Sequence, residues 1–463
     1  MRSRTHLKTC LFVAWISLIV LACNLTGDSS GPPTIAPRAT QTPQPTIGYA
    51  TLSPDELPEV ASTQVANVGI ATSLINMTNQ VETDRLMLHI DNLQNFGSRH
   101  VNSGYGRSDW GIGAAGAYIK SEFEKIQAES QGRLYVFEHG FEIEFGGVRS
   151  QPYNVAAFLS GTEPGAGTVL LGAHYDSMSI DYEDGNALAP GANDNGSGVA
   201  ALLEMARILS KRNHRTSIMF VAFSAEEIQR RGSIAFIRDY LLPHNVDLNV
   251  MLNMDLIGNP LNASGAISDD ILRIYSSGPN ESSSRHAART LELLTSIHVP
   301  YMSISIQDAE DREGRYGDHM SFSEAGYPAV RFVESLENPT RQHNDRDTID
   351  GVQAAYFTRV TQTILTLTTS LADGLNPPRN MALRDAGNGA RTLVWEPIPG
   401  ASGYVVALRR PNALRYDRFE INEPGTTSVT WDGFVPDRFV ALAIATRDAE
   451  GLVGPLSPEF IIR

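Results

Sequence analysis

The stretch TVLLGAHYDSMSIDYEDGNALAPGANDNGSGVAALLEMARIL, Thr168–Leu209, decides the fold. It opens on TVLLGAH, a continuous apolar run of the kind found in a strand buried on both faces. It runs into a segment, Gly198 to Arg212, whose apolar residues recur at helical spacing. Between the two lies a polar, glycine-rich connection in which Asp194 stands among glycines and asparagines directly before the helix. The next apolar run, SIMFVAFSAEE (Ser217–Glu227), follows within a few residues, so strand, helix and strand succeed one another. That succession is the signature of a parallel crossover unit.

Working outward, the alternation continues. AGAYIKSEFEKI (Ala115–Ile126) is amphipathic at helical spacing, VMLNMDLIG (Val250–Gly258) is a further apolar run ending in an acid, and GSIAFIRDYLL reads as a helix. YPAVRFVES reads as a strand and QAAYFTRVTQTILTLTTSLAD as a closing helix. These elements predict an α/β fold over residues 76–374, a mainly parallel sheet with helices on both faces. Ligand-capable residues collect at the carboxyl ends of the strand patterns: His174 and Asp176, Glu226 and Glu227, and Asp255. In an open α/β sheet those ends line the ligand crevice.

The two ends of the chain differ from this middle. Arg2, Arg4 and Lys8 precede the apolar run Leu11–Ala22, which is too short to span a bilayer comfortably, and residues 1–22 are expected to be a signal peptide. VLAC resembles a bacterial lipobox, which implies a lipid anchor on Cys23 and a cell-surface or envelope lipoprotein; secretion without an anchor is the alternative. Residues 23–75, rich in Thr, Pro and Ser, are expected to form an extended tether. The only cysteines are Cys10 and Cys23, so the remainder holds no disulfide and any metal site there must use His, Asp and Glu. From Asn376 onward short β-rich runs alternate with Gly/Pro/Asn turns, predicting an all-β sandwich over residues 375–463. Trp395 in LVWEP and the following GASGYVV resemble a fibronectin type III domain, with Phe439 where that family usually has a tyrosine. The formal net charge of -15 argues against nucleic acid, which requires basic patches.

Singly, the candidate site residues are weak signals. His174 with Asp176 two residues on allows a carboxylate to orient an imidazole ligand. Glu226 and Glu227 are adjacent acids after an apolar run, and RQHNDRDTID supplies His343 with Asp347 four residues later. As a set, two histidines and several carboxylates without cysteine suit zinc in a nitrogen and oxygen site, and two metals sharing one carboxylate would find a bridge in Asp194. AHYDSM, PGANDNGSG, AFSAEE, NMDLIGN and HNDRDT, in this order, resemble the co-catalytic zinc exopeptidases of the bacterial aminopeptidase and glutamate carboxypeptidase superfamily. The lead-in NFGSRHVNS and the segment YNVAAFLSG extend the resemblance.

The resemblance implies two Zn2+ ions, one held by His174, Asp194 and Asp255 and the other by Asp194, Glu227 and His343. It implies Glu226 as general base, Asp176 as orienter of His174, and Asp318 and His319 of YGDHMSF as supports of the site. It further implies a cis peptide between Asp194 and Asn195. The expected reaction is hydrolysis of an amino-terminal peptide bond, on a peptide with a free amino terminus. Other outcomes stay open: a carboxypeptidase or a single-zinc, glutaminyl-cyclase-like acyltransferase of the same superfamily, or an inactive cell-surface binding module. The C-terminal domain, whose partner is unspecified, is expected to be dispensable for chemistry, because every candidate ligand precedes Asp373.

Overall fold

The structure is a computed structural model and describes residues 71–309 and 316–463. The signal segment, Cys23 and most of the tether lie outside the described residues. Among the described residues an eight-stranded sheet runs in the order β1-β4-β6-β5-β7-β10-β8-β9. These strands are β1 (Leu134–Gly140), β4 (Tyr153–Leu159), β5 (Thr168–His174), β6 (Ser217–Phe223), β7 (Leu248–Met254), β8 (Ile271–Ser276), β9 (Ser303–Ile306) and β10 (Ala329–Glu334). A small hairpin, β2 (Ile143–Phe145) and β3 (Val148–Ser150), interrupts the chain between β1 and β4. The central strands β6, β5, β7 and β10 run parallel, as the continuous apolar runs predict. Outside them the sheet turns antiparallel, at β4 on β6 and at β8 on β10.

The period of two along each strand divides the core between two faces. Val169, Leu171 and Ala173 join one cluster with Ile218, Phe220 and Ala222, while Leu170, Met219, Val221 and Phe223 join a second. The first cluster is covered by α1 (Thr72–Thr78), α2 (Thr83–Gln94), α3 (Gly111–Glu129), α4 (Gly196–Leu209), α6 (Ser283–His298) and α8 (Ala354–Asp373). The second takes α5 (Arg231–Phe236), continued by a π-helical turn, and α7 (Asp318–Glu324). Helices thus cover both faces. Folded structure begins slightly before the expected residue 76, because Leu74 and Met77 of α1 pack into the first cluster.

Seven further strands follow α8. β11 (Ala382–Gly387), β12 (Ala390–Val394) and β15 (Ser428–Trp431) form one antiparallel sheet; β14 (Asp417–Ile421), β13 (Ala401–Arg409), β16 (Ala441–Asp448) and β17 (Phe460–Ile461) form another. Tyr404, Val406, Leu408, Leu442 and Ile444 face the core between these sheets, with Trp395 edge-on to Tyr404 at 5.2 Å. The alternate residues Val405, Ala407, Ala443 and Ala445 belong instead to the large core of the α/β part. Polar contacts reinforce this junction: His286 of α6 lies 2.7 Å from the Tyr416 hydroxyl, which donates to Glu459, and Val453 donates its backbone N–H to His298. The second β-sheet is therefore buried on both faces, which a freely tethered module would not be.

Ala443→Asp would place an unpaired charge in this shared core and should destabilise the protein by about 3–5 kcal/mol, read by thermal unfolding. Deleting residues 375–463 uncovers the matching apolar face and should lower the melting temperature and promote self-association, read by size-exclusion chromatography. Activity of such a truncate is informative only beside these two measurements.

Candidate active site

The parallel register sets the site. His174 ends β5 opposite Phe223, the last residue of β6, and β7, whose Asn253 pairs with Gly172, ends one residue later at Met254. Glu226, Glu227 and Asp255 follow immediately, so histidine and acids emerge along one edge of the sheet. Asp194 enters from the loop before α4. Gly191 makes that loop possible: its φ is +55°, and a Cβ there would lie 2.5 Å from the Asp194 carbonyl oxygen. The Asp194–Asn195 peptide is cis, as expected. Asn195 caps α4, accepting from Gly198 N at 3.0 Å, and donates to Met254 O at 2.7 Å, tying the loop to β7.

Asp194 lies between two imidazoles. Its Oδ1 is 3.4 Å from His174 Nε2 and its Oδ2 is 3.3 Å from His343 Nε2. Asp255 Oδ1 stands 3.5 Å from the same His174 nitrogen, and Glu227 Oε2 stands 3.2 Å from His343 Nε2. Glu226 Oε2 is farther back, 4.0 Å from His174. All five proposed ligands and Glu226 therefore converge. Ligand atoms around a tetrahedral zinc with bonds of about 2.0–2.1 Å lie about 3.3–3.4 Å apart, so these separations fit a cation seated among the groups. One atom each from His174, Asp194 and Glu227 also lies within 4.8 Å of the others, so the donors could close on a single ion as well.

Electrostatics point the same way. Burial disfavours a charged His174, yet Glu226, Asp176, Asp194 and Asp255 outweigh it and raise its pKa well above normal. The Glu227 carboxylate lifts His343 to about 11. Burial raises Glu226 well above the carboxylate range, with Asp318, Asp255 and Glu227 acting in the same direction and His174 opposing. Such an excess of buried negative charge calls for cations.

Two carboxylates outside the ligand set hold the backbone beneath it. Asp176 accepts from the backbone N–H groups of Glu226 and Glu227, at 3.1 Å each. Its expected role toward His174 is only partly seen: Nδ1 lies 3.2 Å from the Asp176 backbone carbonyl and 3.6 Å from the carboxylate. Asp347 repeats the device, accepting from Asn193 N at 2.9 Å and Asp194 N at 2.8 Å. Arg99, fully buried, donates to the carbonyls of Tyr175 (2.7 Å), Gly191 (2.8 Å), Leu93 (3.3 Å) and Pro190, joining the β5 end to the Asp194 loop. Arg331 Nη1 stands 3.6 Å from Asp255 Oδ2. Asp318 and His319 open α7 and are buried; burial lifts Asp318 to about 7. Arg99 and Arg331 lie in quoted segments but carry no local signal of these roles. Asp347 was visible only by its spacing from His343.

Three residues at the site adopt left-handed backbone: Ala225 (φ 58°) before Glu226, Leu256 (φ 55°) after Asp255, and His343 itself (φ 53°). Each such conformation costs on the order of 1–3 kcal/mol and tends to collect at functional sites.

A sequence model of peptidase family M28 matches residues 154–368. A probable zinc metalloprotease of Leptosphaeria maculans is 31% identical over 337 residues, covering 66% of this chain and 78% of that protein. One of Pyrenophora tritici-repentis is 31% identical over 342 residues, covering 66% and 70%. The solved structure of the LapA aminopeptidase of Legionella pneumophila superposes with a TM-score of 0.53 at 18% identity, covering 70% of this chain and 81% of that one, and shares the fold.

Asp347→Asn keeps the shape but offers a single carbonyl oxygen to two N–H groups. It should leave one of them unsatisfied at a cost of about 1–3 kcal/mol, seen as a lower unfolding midpoint. From the family match, the coverage of the relatives and the convergence of the motif residues, the chain belongs to peptidase family M28.

Proposed function

We propose that this protein is a zinc-dependent aminopeptidase holding two Zn2+ ions, one on His174, Asp194 and Asp255 and one on Asp194, Glu227 and His343. The observation that carries this reading is the placing of Asp194, whose two oxygens face two different histidines, each flanked by a further carboxylate. Bound zinc would supply Lewis acidity, polarising the scissile carbonyl and lowering the pKa of a water toward neutrality. Glu226 lies beside this set without facing His343, and takes the proton of the attacking water before passing it to the leaving amine. Asp176 positions Glu226 and Glu227 through their backbone N–H groups.

The reading divides the chain at residue 375, with a fibronectin type III-like domain thereafter. The three-plus-four arrangement of strands and the buried Trp395 support that division. Export with a lipid anchor at Cys23 belongs to the same reading and rests on the sequence alone. A single-zinc, acyltransferase-like centre is the second reading, favoured by the mutual closeness of His174, Asp194 and Glu227. Metal analysis of the purified protein beside a panel of free and amino-blocked peptides separates the two. Two zinc ions and cleavage of free peptides alone are expected; one zinc with cyclisation of amino-terminal glutamine would overturn the reading.

The adjacent glutamates should differ in kind. Glu226→Gln should retain zinc and fold but lose turnover by about 100-fold or more. Glu227→Ala should lose zinc. Metal analysis with steady-state kinetics on one amino-acid anilide checks both, and a zinc-free Glu226→Gln beside a zinc-replete Glu227→Ala would reverse the assignment.

A further inference from the structure

Residues 178–188 leave the sheet just after Asp176 and return just before the Asp194 segment. Ser177 and Ala189 close the neck of this loop: Ser177 Oγ donates to Ala189 O at 2.7 Å and accepts from Arg99 N at 2.9 Å, and Ala189 N donates to Gly97 O at 2.9 Å. The neck packs on the Asp194 loop, since a Cβ on Gly191 would lie 2.8 Å from Ser177 Cβ. A surface loop with its ends joined in this way is an Ω-loop, a form that frequently carries function. Its far side is fixed as well. His100, 2% exposed, has Nε2 at 3.0 Å from Tyr182 O, and the Tyr182 ring meets Phe145 of β2 at 6.4 Å.

This anchoring holds apolar side chains out in water. Ile180 and Tyr182 are 78% and 57% exposed. On the hairpin, Val148 stands opposite Phe145 in the register, so the two share a face, and Val148 is 45% exposed. Between and beside the loop's apolar residues stand Asp181, Glu183 and Asp184, all exposed and none in an ion pair among the described residues. The position relative to the metal ligands follows from the sheet. β4 runs antiparallel to β6, so the hairpin that precedes Tyr153 lies at the same edge as His174 and Glu226. β4 is two strands from β5, about 10 Å at the usual strand spacing, and an extended peptide rising about 3.3 Å per residue crosses that in about three residues.

Resting on the aminopeptidase reading, we propose that residues 178–188 and the β2–β3 hairpin hold the leaving segment of the peptide substrate, and that they favour a segment carrying a basic residue beside an apolar one. An aminopeptidase substrate has a single residue before the scissile bond, so a surface two strands away from His174 meets the part beyond it. Covering Ile180, Tyr182 and Val148 removes apolar area from water. Three acids without cationic partners complement a lysine or arginine and repel a glutamate.

The test uses the zinc-loaded full chain and substrates sharing an amino-terminal leucine: an anilide, and two pentapeptide amides that differ only in lysine or glutamate at the third position. At low salt the lysyl pentapeptide should exceed the glutamyl one by about fivefold or more in kcat/KM, the scale of a few exposed charge pairs, and the ratio should shrink as salt is raised. The net charge of -15 favours basic peptides from any distance, so variants decide the source. Asp181→Asn with Glu183→Gln and Asp184→Asn keeps the shapes and should bring the ratio to about twofold or less. The same loss of charge at Glu423, Asp432 and Asp437, exposed beyond residue 375, should leave it. Tyr182→Ala should lower the ratio of pentapeptide to anilide by about threefold or more, chiefly through KM. Calorimetric binding of both pentapeptides to Glu226→Gln gives the lysyl-to-glutamyl comparison without turnover. Cleavage of every substrate with no lysyl preference, or a preference that the triple loop variant leaves unchanged, overturns the proposal and leaves the aminopeptidase reading standing. No cleavage of any substrate, with the lysyl pentapeptide bound ahead of the glutamyl one by the wild type and not by the triple loop variant, supports the loop as a peptide-binding surface and removes the aminopeptidase reading instead.

Discussion

The crowding of carboxylates at one edge of the sheet is the constraint on which the site depends. Asp176, Asp194, Glu226, Glu227, Asp255 and Asp347 are gathered there, and burial penalises charge on Asp194, Glu226, Glu227 and Asp347. The chain meets this by assigning the acids two kinds of partner. Asp176 and Asp347 point into the protein, and each takes two successive backbone N–H groups. Those groups belong to the residues that carry, or stand beside, the other acids. Arg99 adds a buried cation, whose charge interacts favourably with Asp347, Asp176, Asp194 and Glu227 although burial brings its pKa down to about 10. Asp255 has Arg331 at its back. The acids that remain face the two histidines, and the direction of each is fixed from behind.

That arrangement needs the parallel register of β6, β5 and β7 to be right to the residue. A shift of one residue would turn His174 to the other face of the sheet. The backbone is also forced into left-handed conformation at Ala225, Leu256 and His343. At Ala225 and Leu256 the turn comes where a strand has just ended. Past Ala225 the chain bonds back on itself, Arg230 N and Arg231 N returning to Glu226 O and Ala225 O, whereas past Met254 the ladder to β10 carries on, Asp255 N donating to Phe332 O and Leu256 O accepting from Glu334 N.

What the sequence made legible follows from the range of each interaction. The central strands β5, β6, β7 and β10 read as apolar runs because both their faces are buried, and His174, Glu226, Glu227 and Asp255 read as candidate ligands or base because each stands at or just past the end of such a run, whereas Asp194 and His343 lie in loops and read only through their own short motifs. The sheet margins were not read. β1 is half-exposed along much of its length, β8 mixes Arg273 with its apolar residues, and β9 alternates cleanly but over only four residues, so none stands out as a strand. Arg99 and Asp347 act on partners far along the chain, Arg99 on Tyr175 and Asp347 on Asn193, and their targets are backbone groups that leave no mark in the sequence. The docking face of the second β-sheet did leave a signal. YVVALR and VALAIAT are continuous apolar runs, not the alternating pattern of a sheet with one face in water, and both faces are buried.

The adjacency of Glu226 and Glu227 shows how these levels join. Two consecutive side chains would ordinarily be hard to assign to separate roles. Here Asp176 grips both of their N–H groups, and the left-handed turn at Ala225 sets the direction in which the pair leaves β6. Glu227 then reaches His343 on one side of Asp194, while Glu226 comes nearest to His174 on the other. A free chain carrying the same two residues would hold them in no fixed relation. The proposed division between a group that holds a cation and a group that moves a proton would thus be made in the backbone, by an aspartate that touches neither carboxylate through its own oxygens.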